Sequence, residues 1–179
     1  NLEFRSIIHE VAAGVEFHYV PFTFGKGNKN AGTAYLMAQI GGFHMDPKAM
    51  YNGELVSLQP MSTEGQGTSI GTRNPYKLYQ ICMPLGMGVK LAIGNKLTVN
   101  FDLAIRKTFT DYLDDVGSLT YANAKVIDKE VSDDASALSN RSLDGSKYGL
   151  RGNPTTKDWY VFTGMTVAIR LGKEKICFY

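Results

Sequence analysis

A chain of 179 residues, 44% hydrophobic and 11% aromatic, has the length of one domain and enough apolar content to fold, which excludes wholesale disorder. Its net charge of +2 lacks the cationic excess of a nucleic-acid-binding chain. No apolar run approaches the ~18 residues of a transmembrane helix, a test that says nothing about membrane strands, which are short and only half apolar.

Five segments alternate with the two-residue period of a strand. In the first, about Phe4 to Tyr19, Ile7, Val11, Ala13, Val15, Phe17 and Tyr19 oppose Ser6, Glu10, Ala12, Gly14, Glu16 and His18. His9 falls on the apolar parity, against the pattern. Pro21 to Gly32 reads as a turn. In the second segment, about Thr33 to Met45, Leu36, Ala38 and Ile40 oppose Tyr35, Gln39 and Gly41. A mostly polar stretch, Asp46 to Pro75, follows. In the third, Tyr76 to Ile93, Tyr79, Ile81, Met83, Leu85, Met87, Val89 and Leu91 oppose Gln80, Cys82, Gly86, Gly88 and Lys90. Pro84 sits poorly there, because proline lacks a ladder donor and favours edges or bulges. After the tight Gly94-Asn95-Lys96 turn, Leu97, Val99, Phe101, Leu103 and Ile105 oppose Thr98, Asn100, Asp102, Ala104, Arg106 and Thr108 in a segment ending near Phe109. A polar stretch from about Thr110 to Lys157 leads to the last segment, Tyr160 to Leu171, where Val161, Thr163, Met165, Val167, Ile169 and Leu171 oppose Phe162, Gly164, Thr166, Ala168 and Arg170.

One face of each strand is therefore apolar, and the other is small or polar with few charges. A soluble barrel or sandwich would need many more charges on its wet face, and a lipocalin-like carrier with an apolar cavity is the soluble alternative. The pattern predicts the all-β class: an antiparallel transmembrane β-barrel of about eight strands, of which residues 1–179 supply the last five. The chain starts at Asn1 and runs almost at once into a strand pattern, so the earlier strands and the true N-terminus are expected upstream. Connections alternate between short and long, which puts the turns and the C-terminus on the periplasmic side and the long loops outside. Phe17, Tyr19, Phe22 and Tyr35 then fall near one interface, and Phe43, Tyr76, Tyr79, Phe109, Tyr112 and Trp159 near the other. The interior would hold Glu10, Glu16, Lys90, Asp102, Arg106 and Arg170, which must pair when buried, giving a plugged barrel rather than an open pore.

No catalytic constellation stands out. Gly67-Thr68-Ser69-Ile70-Gly71 matches the nucleophile elbow in letters, but it lies in a polar stretch with no helical period after it. Gly25-Lys26-Gly27-Asn28-Lys29 lacks P-loop spacing, and His9, His18 and His44 lack ligand spacing. Asp111, Asp114 and Asp115 form an acidic cluster that reads as a solvated loop, with calcium as the sharper alternative. Cys82 and Cys177 read as unrelated thiols. The reading is of a non-enzyme without metal or cofactor.

Several motifs recur together: Phe4-Arg5-Ser6, Tyr51-Asn52-Gly53, Leu58-Gln59-Pro60, Thr63-Glu64-Gly65-Gln66-Gly67, the run Arg106 to Val116, Arg151-Gly152-Asn153-Pro154 and Asp158-Trp159-Tyr160. As a set they resemble a Bacteroidota family of small outer-membrane β-barrels that includes PorG, a component of the type IX secretion system. Gly164, Val167 and Ile169 likewise resemble the C-terminal insertion signal of bacterial outer-membrane barrels, with Phe162 where that signal has a polar residue. The resemblance implies an outer-membrane location, the lipid bilayer as surroundings, and contact with a periplasmic ring like that of PorK and PorN. The expected function is structural, anchoring that ring to the membrane. On the predicted side, Phe22, Phe24, Lys26 and Lys29 of the turn and Lys173, Lys175 and Cys177 of the tail would dock it. The alternative is a surface barrel that binds ligands or partners through its long outer loops.

Overall fold

The computed structural model describes residues 3–22, 32–71, 74–94, 96–142, 150–169 and 171. Strands dominate: β1 (His9–His18), β2 (Gly32–His44), β3 (Lys48–Tyr51), β4 (Glu54–Ser57), β5 (Tyr79–Ile93), β6 (Leu97–Thr108) and β7 (Trp159–Ile169), with two short helices, α1 (Ala124–Glu130) and α2 (Asp133–Ser139). The five segments read from the alternation are the five strands of one mostly antiparallel sheet, in the order β1-β2-β5-β6-β7. β6 and β7 pair from Leu97↔Ile169 to Lys107↔Trp159. β1 and β7 are the outer strands, and no closed barrel forms among the described residues. Pro84 lies inside β5, which has a strand on each side, rather than at an edge. Phe4 to Ser6 fall outside β1, and Arg5 exchanges reciprocal 2.8 Å backbone hydrogen bonds with Lys48.

Contacts divide the chain into two compact units. One comprises residues 12–40, 83–107 and 159–179, mostly strand. On β2, β5 and β6 its apolar parity is mostly exposed and the opposite parity buried or half-buried: Leu103 is 49% exposed, whereas Arg106 is 7% and Ala104 1% exposed; on the outer strands β1 and β7 both parities are largely exposed, as at Glu16, Phe162 and Val167. On the three central strands the alternation thus separates an uncovered apolar face from a more covered small-polar one, the reverse of a soluble sheet.

The other unit comprises residues 1–11, 41–82 and 108–158. The long connections within it are folded. β3 and β4 form a hairpin in register Tyr51↔Glu54, with Asn52 and Gly53 both at positive φ (50° and 86°), the turn geometry that Asn-Gly favours. Ala49, Leu58 and Leu138 form a core joined by Tyr51, Val56 and Met61. Side chains cap both helices: Asn123 accepts from the Lys125 N–H and Ser132 from the Ala135 N–H, and Asp133 and Asp134 add negative charge to the first turn of α2. Each helix has seven residues, too few to persist alone, and the two pack on each other.

The expected aromatic girdles need correction. Phe17 and Tyr19 are exposed on the apolar parity, as are Tyr79, Phe109 and Trp159. Tyr35 is buried on the opposite parity, Phe43 and Tyr76 are also buried, and Tyr112 stacks on Tyr76 with 4.6 Å between ring centroids. Strand parity decides which way Tyr35 and Phe43 point; an aromatic's closeness to a strand end does not.

Candidate functional site

Two polar assemblies stand out, one in each unit. In the strand unit, Lys90 forms an ion pair with Glu16, whose carboxylate also meets His18 Nε2 at 3.1 Å. Lys90 Nζ stands 4.6 Å from the centroid of the Tyr35 ring, and the Tyr35 hydroxyl donates to Asp102. The His18 ring meets Tyr35 and Phe22 edge to face. At Gly88 both the Tyr35 ring and the Phe101 backbone occupy the space: a Cβ there would lie 2.5 Å from Cζ of that ring and 2.6 Å from the Phe101 carbonyl oxygen. Further along, the Arg106 guanidinium stacks 4.2 Å from the centroid of Phe162, a cation–π contact. The Phe162 ring also covers Gly164, where a Cβ would come within 2.7 Å of it.

The six residues expected to pair in an interior are therefore distributed unevenly. Glu16 and Lys90 meet each other, Asp102 is engaged by a tyrosine, and Arg106 by an aromatic face. Glu10 is half-buried on β1, and Arg170 lies outside the described residues. Tyr35 and Phe162, absent from the charge-based set, are what three of its members contact: Lys90 and Asp102 meet Tyr35, and Arg106 meets Phe162.

The second assembly is buried in the folded connections. Arg151 Nε donates to Glu64 Oε1 at 3.1 Å, Nη2 to Thr63 Oγ1 at 3.1 Å, and Nη1 to the Ser139 carbonyl. Both charged side chains of the Arg151–Glu64 pair are 1% exposed. Glu64 also accepts from the backbone N–H of Gly117 and Ser118 and from the Ser118 hydroxyl, so its carboxylate is well supplied with donors. Asp115 accepts from the Thr63 and Tyr76 hydroxyls and lies 3.9 Å from Arg151 Nη2. Burial pushes its carboxyl up to about 6 despite these donors. Burial beside Asp115 likewise raises the Tyr76 phenol, and burial raises Asp114 and Asp158. Asp158 fastens the start of β7: its carbonyl accepts from Thr108 N–H at 3.1 Å and its carboxylate from Leu113 N–H at 2.8 Å.

This corrects the picture of a solvated acidic loop. Asp111 and Asp115 are buried, and Asp115 is a member of the Arg151 cluster. Among the described residues, no three His, Cys, Asp or Glu side chains are grouped as a metal site requires. Ser69 donates its hydroxyl and backbone N–H to Glu130 of α1, and these bonds hold the Glu130 carboxyl below its usual range. The strand–turn–helix of a nucleophile elbow is not formed among the described residues; Ser69 lies in a turn. Cys82 is a fully buried thiol on β5. Of the expected docking residues, Phe22 is half-buried and meets His18; Phe24, Lys26, Lys29, Lys173, Lys175 and Cys177 lie outside the described residues.

No protein-family model, curated protein or solved structure matches the chain.

Proposed function

We propose that this chain supplies strands of a transmembrane β-barrel of about eight strands in a bacterial outer membrane. One observation carries the reading: on the central strands β2, β5 and β6 the apolar parity is mostly uncovered, while the opposite parity, of glycine, threonine, tyrosine and a few charges, is buried or half-buried. Water on the apolar side would leave a large patch unpaid for by burial, whereas hydrocarbon solvates it. Among the described residues β1 and β7 are the outer strands of the sheet, and because lipid does not tolerate an open sheet edge, the proposed barrel closes through further strands. Trp159 supplies the test. In vesicles, brominated lipids should quench its fluorescence, and the chain should stay with membranes through alkaline extraction. An unquenched Trp159 and a detergent-free soluble protein would refute the reading.

Within that barrel the proposed role is structural: a non-enzymatic anchor between a periplasmic ring and the membrane. It rests on the motif resemblance, and the Thr63-Glu64, Asp115 and Arg151 pieces of that motif set converge in one buried cluster. Deleting the tail from Gly172 onward should lower co-purification of ring proteins resembling PorK and PorN, and unchanged recovery would remove the tail from the docking surface. The folded connections favour a second reading, a surface barrel binding through rigid outer loops. Loop deletion that abolishes binding while secretion persists would select it.

A further inference from the structure

Two clefts adjoin in the unit that carries the connections, and both are walled by His9 and His44. The first, about 580 Å³, continues over Val11, Gly42, Tyr79 and Ile81. Its floor is open at Gly42, where a Cβ would meet only the Gln80 carbonyl at 3.7 Å. The second, about 450 Å³, continues over Arg5, Ser6, Asp46 and Lys48. One is apolar and the other carries two cations, with the imidazoles between them.

Both histidines belong to the apolar parity, His9 with Val11 and Val15, His44 with Leu36 and Ile40. A polar ring on a lipid-facing parity is costly unless it meets a polar partner. His44 is braced by Tyr79, with ring centroids 4.8 Å apart, and Tyr79 is itself 78% exposed, as an interfacial aromatic is. The reciprocal backbone bonds between Arg5 and Lys48 hold the two cations at one end. Two acids stand near them. Glu3 meets Arg5 at 3.6 Å with both side chains mostly in solvent, a pair that a better partner displaces at little cost. Asp46 meets Lys48 at 3.1 Å and accepts from the Ser57 hydroxyl.

We infer that these clefts hold one phosphate-bearing membrane lipid, its acyl chain along Val11, Gly42 and Ile81 and its phosphate received by Arg5, His9 and His44 with Lys48. The guanidinium offers a planar fork of donors to phosphate oxygens, and each imidazole offers an N–H. The retained Asp46 makes a headgroup that pairs its phosphate with an amine a suitable probe. The inference deepens the membrane reading and rests on it.

The test is native mass spectrometry of the detergent-released chain, offered phosphatidylethanolamine and diacylglycerol with identical acyl chains. The chain should retain the phospholipid about tenfold over diacylglycerol, a ratio that one charge-assisted contact supplies. Arg5→Gln/His9→Gln should lose that preference, while inorganic phosphate alone should not displace the lipid. The Arg5 bonds to Lys48 are backbone bonds and survive the substitution, and unchanged Trp159 quenching by brominated lipid checks that the variant still inserts. Quenching without any phospholipid preference, a preference the variant keeps, or displacement by inorganic phosphate would each overturn the headgroup site and leave the membrane reading standing. Loss of quenching in the unsubstituted chain would remove both.

Discussion

On β5 and β6 the buried face is built from residues that ask little of their surroundings: Gly86, Gly88 and Ala104, with one tyrosine laid across the glycine and one lysine paired to a glutamate. In the connections, by contrast, burial is organised around a fully desolvated arginine that binds Glu64, Thr63 and Ser139 at once. The first arrangement follows strand parity, which repeats every second residue along each strand. The second joins residues 63, 64, 115, 139 and 151, which no period links. The strands therefore tolerate change one position at a time, while the connections stand or fall together.

Arg151→Leu should expose that difference most sharply. It leaves Glu64 and Asp115 charged or half-satisfied in a dry site, which costs about 3–5 kcal/mol for a buried pair broken from one side. Limited proteolysis should cut within the 46–71 and 110–142 connections while the strands stay protected, and equal protection of both would refute the two-part picture. Replacing Arg151 and Glu64 together by apolar residues should cost less than the single change.

Next in size is a charge on the exposed parity. Leu103→Arg should cost about 2–4 kcal/mol if that face meets hydrocarbon and almost nothing if it meets water. Urea unfolding of the chain refolded into vesicles reads the difference, and a negligible change would count against the lipid-facing assignment. Gly88→Val tests the opposite face. Its side chain must displace the Tyr35 ring and press on the Phe101 carbonyl, at about 1–3 kcal/mol. Restoring space with Tyr35→Ala in the same chain should recover part of that loss, and strictly additive losses would show that the two residues do not compete for one volume.

These strands were legible because a two-residue alternation is written along the chain itself. Val161 to Ile169 against Phe162 to Ala168 needs no knowledge of what lies across the sheet. The partners were less legible. Arg106 and Asp102 belonged to the buried face by parity, but which side chains they meet depends on pairing between strands, so Phe162 and Tyr35 were missed. The connections were least legible. Asn52-Gly53 is a hairpin signal, and Ser132 followed by Asp133 and Asp134 is a helix start, yet both sit in stretches whose polarity reads as loop. The Arg151–Glu64 pair spans 87 positions, so no local pattern carries it. Asp115 looked solvated because acidic residues usually are; Thr63 and Tyr76, which bind it, come from 52 and 39 positions away.

Acid separates the two regions more gently. The Asp115 carboxyl titrates near 6 in the folded chain against an ordinary value of 3.8, because burial disfavours its charge. The folded state therefore takes up this proton more readily than the unfolded state. The stabilising contribution is fully present below about pH 4 and is lost as pH rises through about 6. Asp114 and Asp158, also raised by burial, act in the same direction. Acidification from pH 7 to 4 should thus tighten the connections, by up to about 2 kcal/mol from Asp115, read as slower amide exchange at Leu113 to Ser118. Asp115→Asn should flatten that dependence, because its amide keeps an acceptor for the Tyr76 hydroxyl and has no charge to bury. An unchanged pH slope in the variant would mean that the proton binds elsewhere in the unit, with Asp114 or Asp158 the next to test by the same substitution.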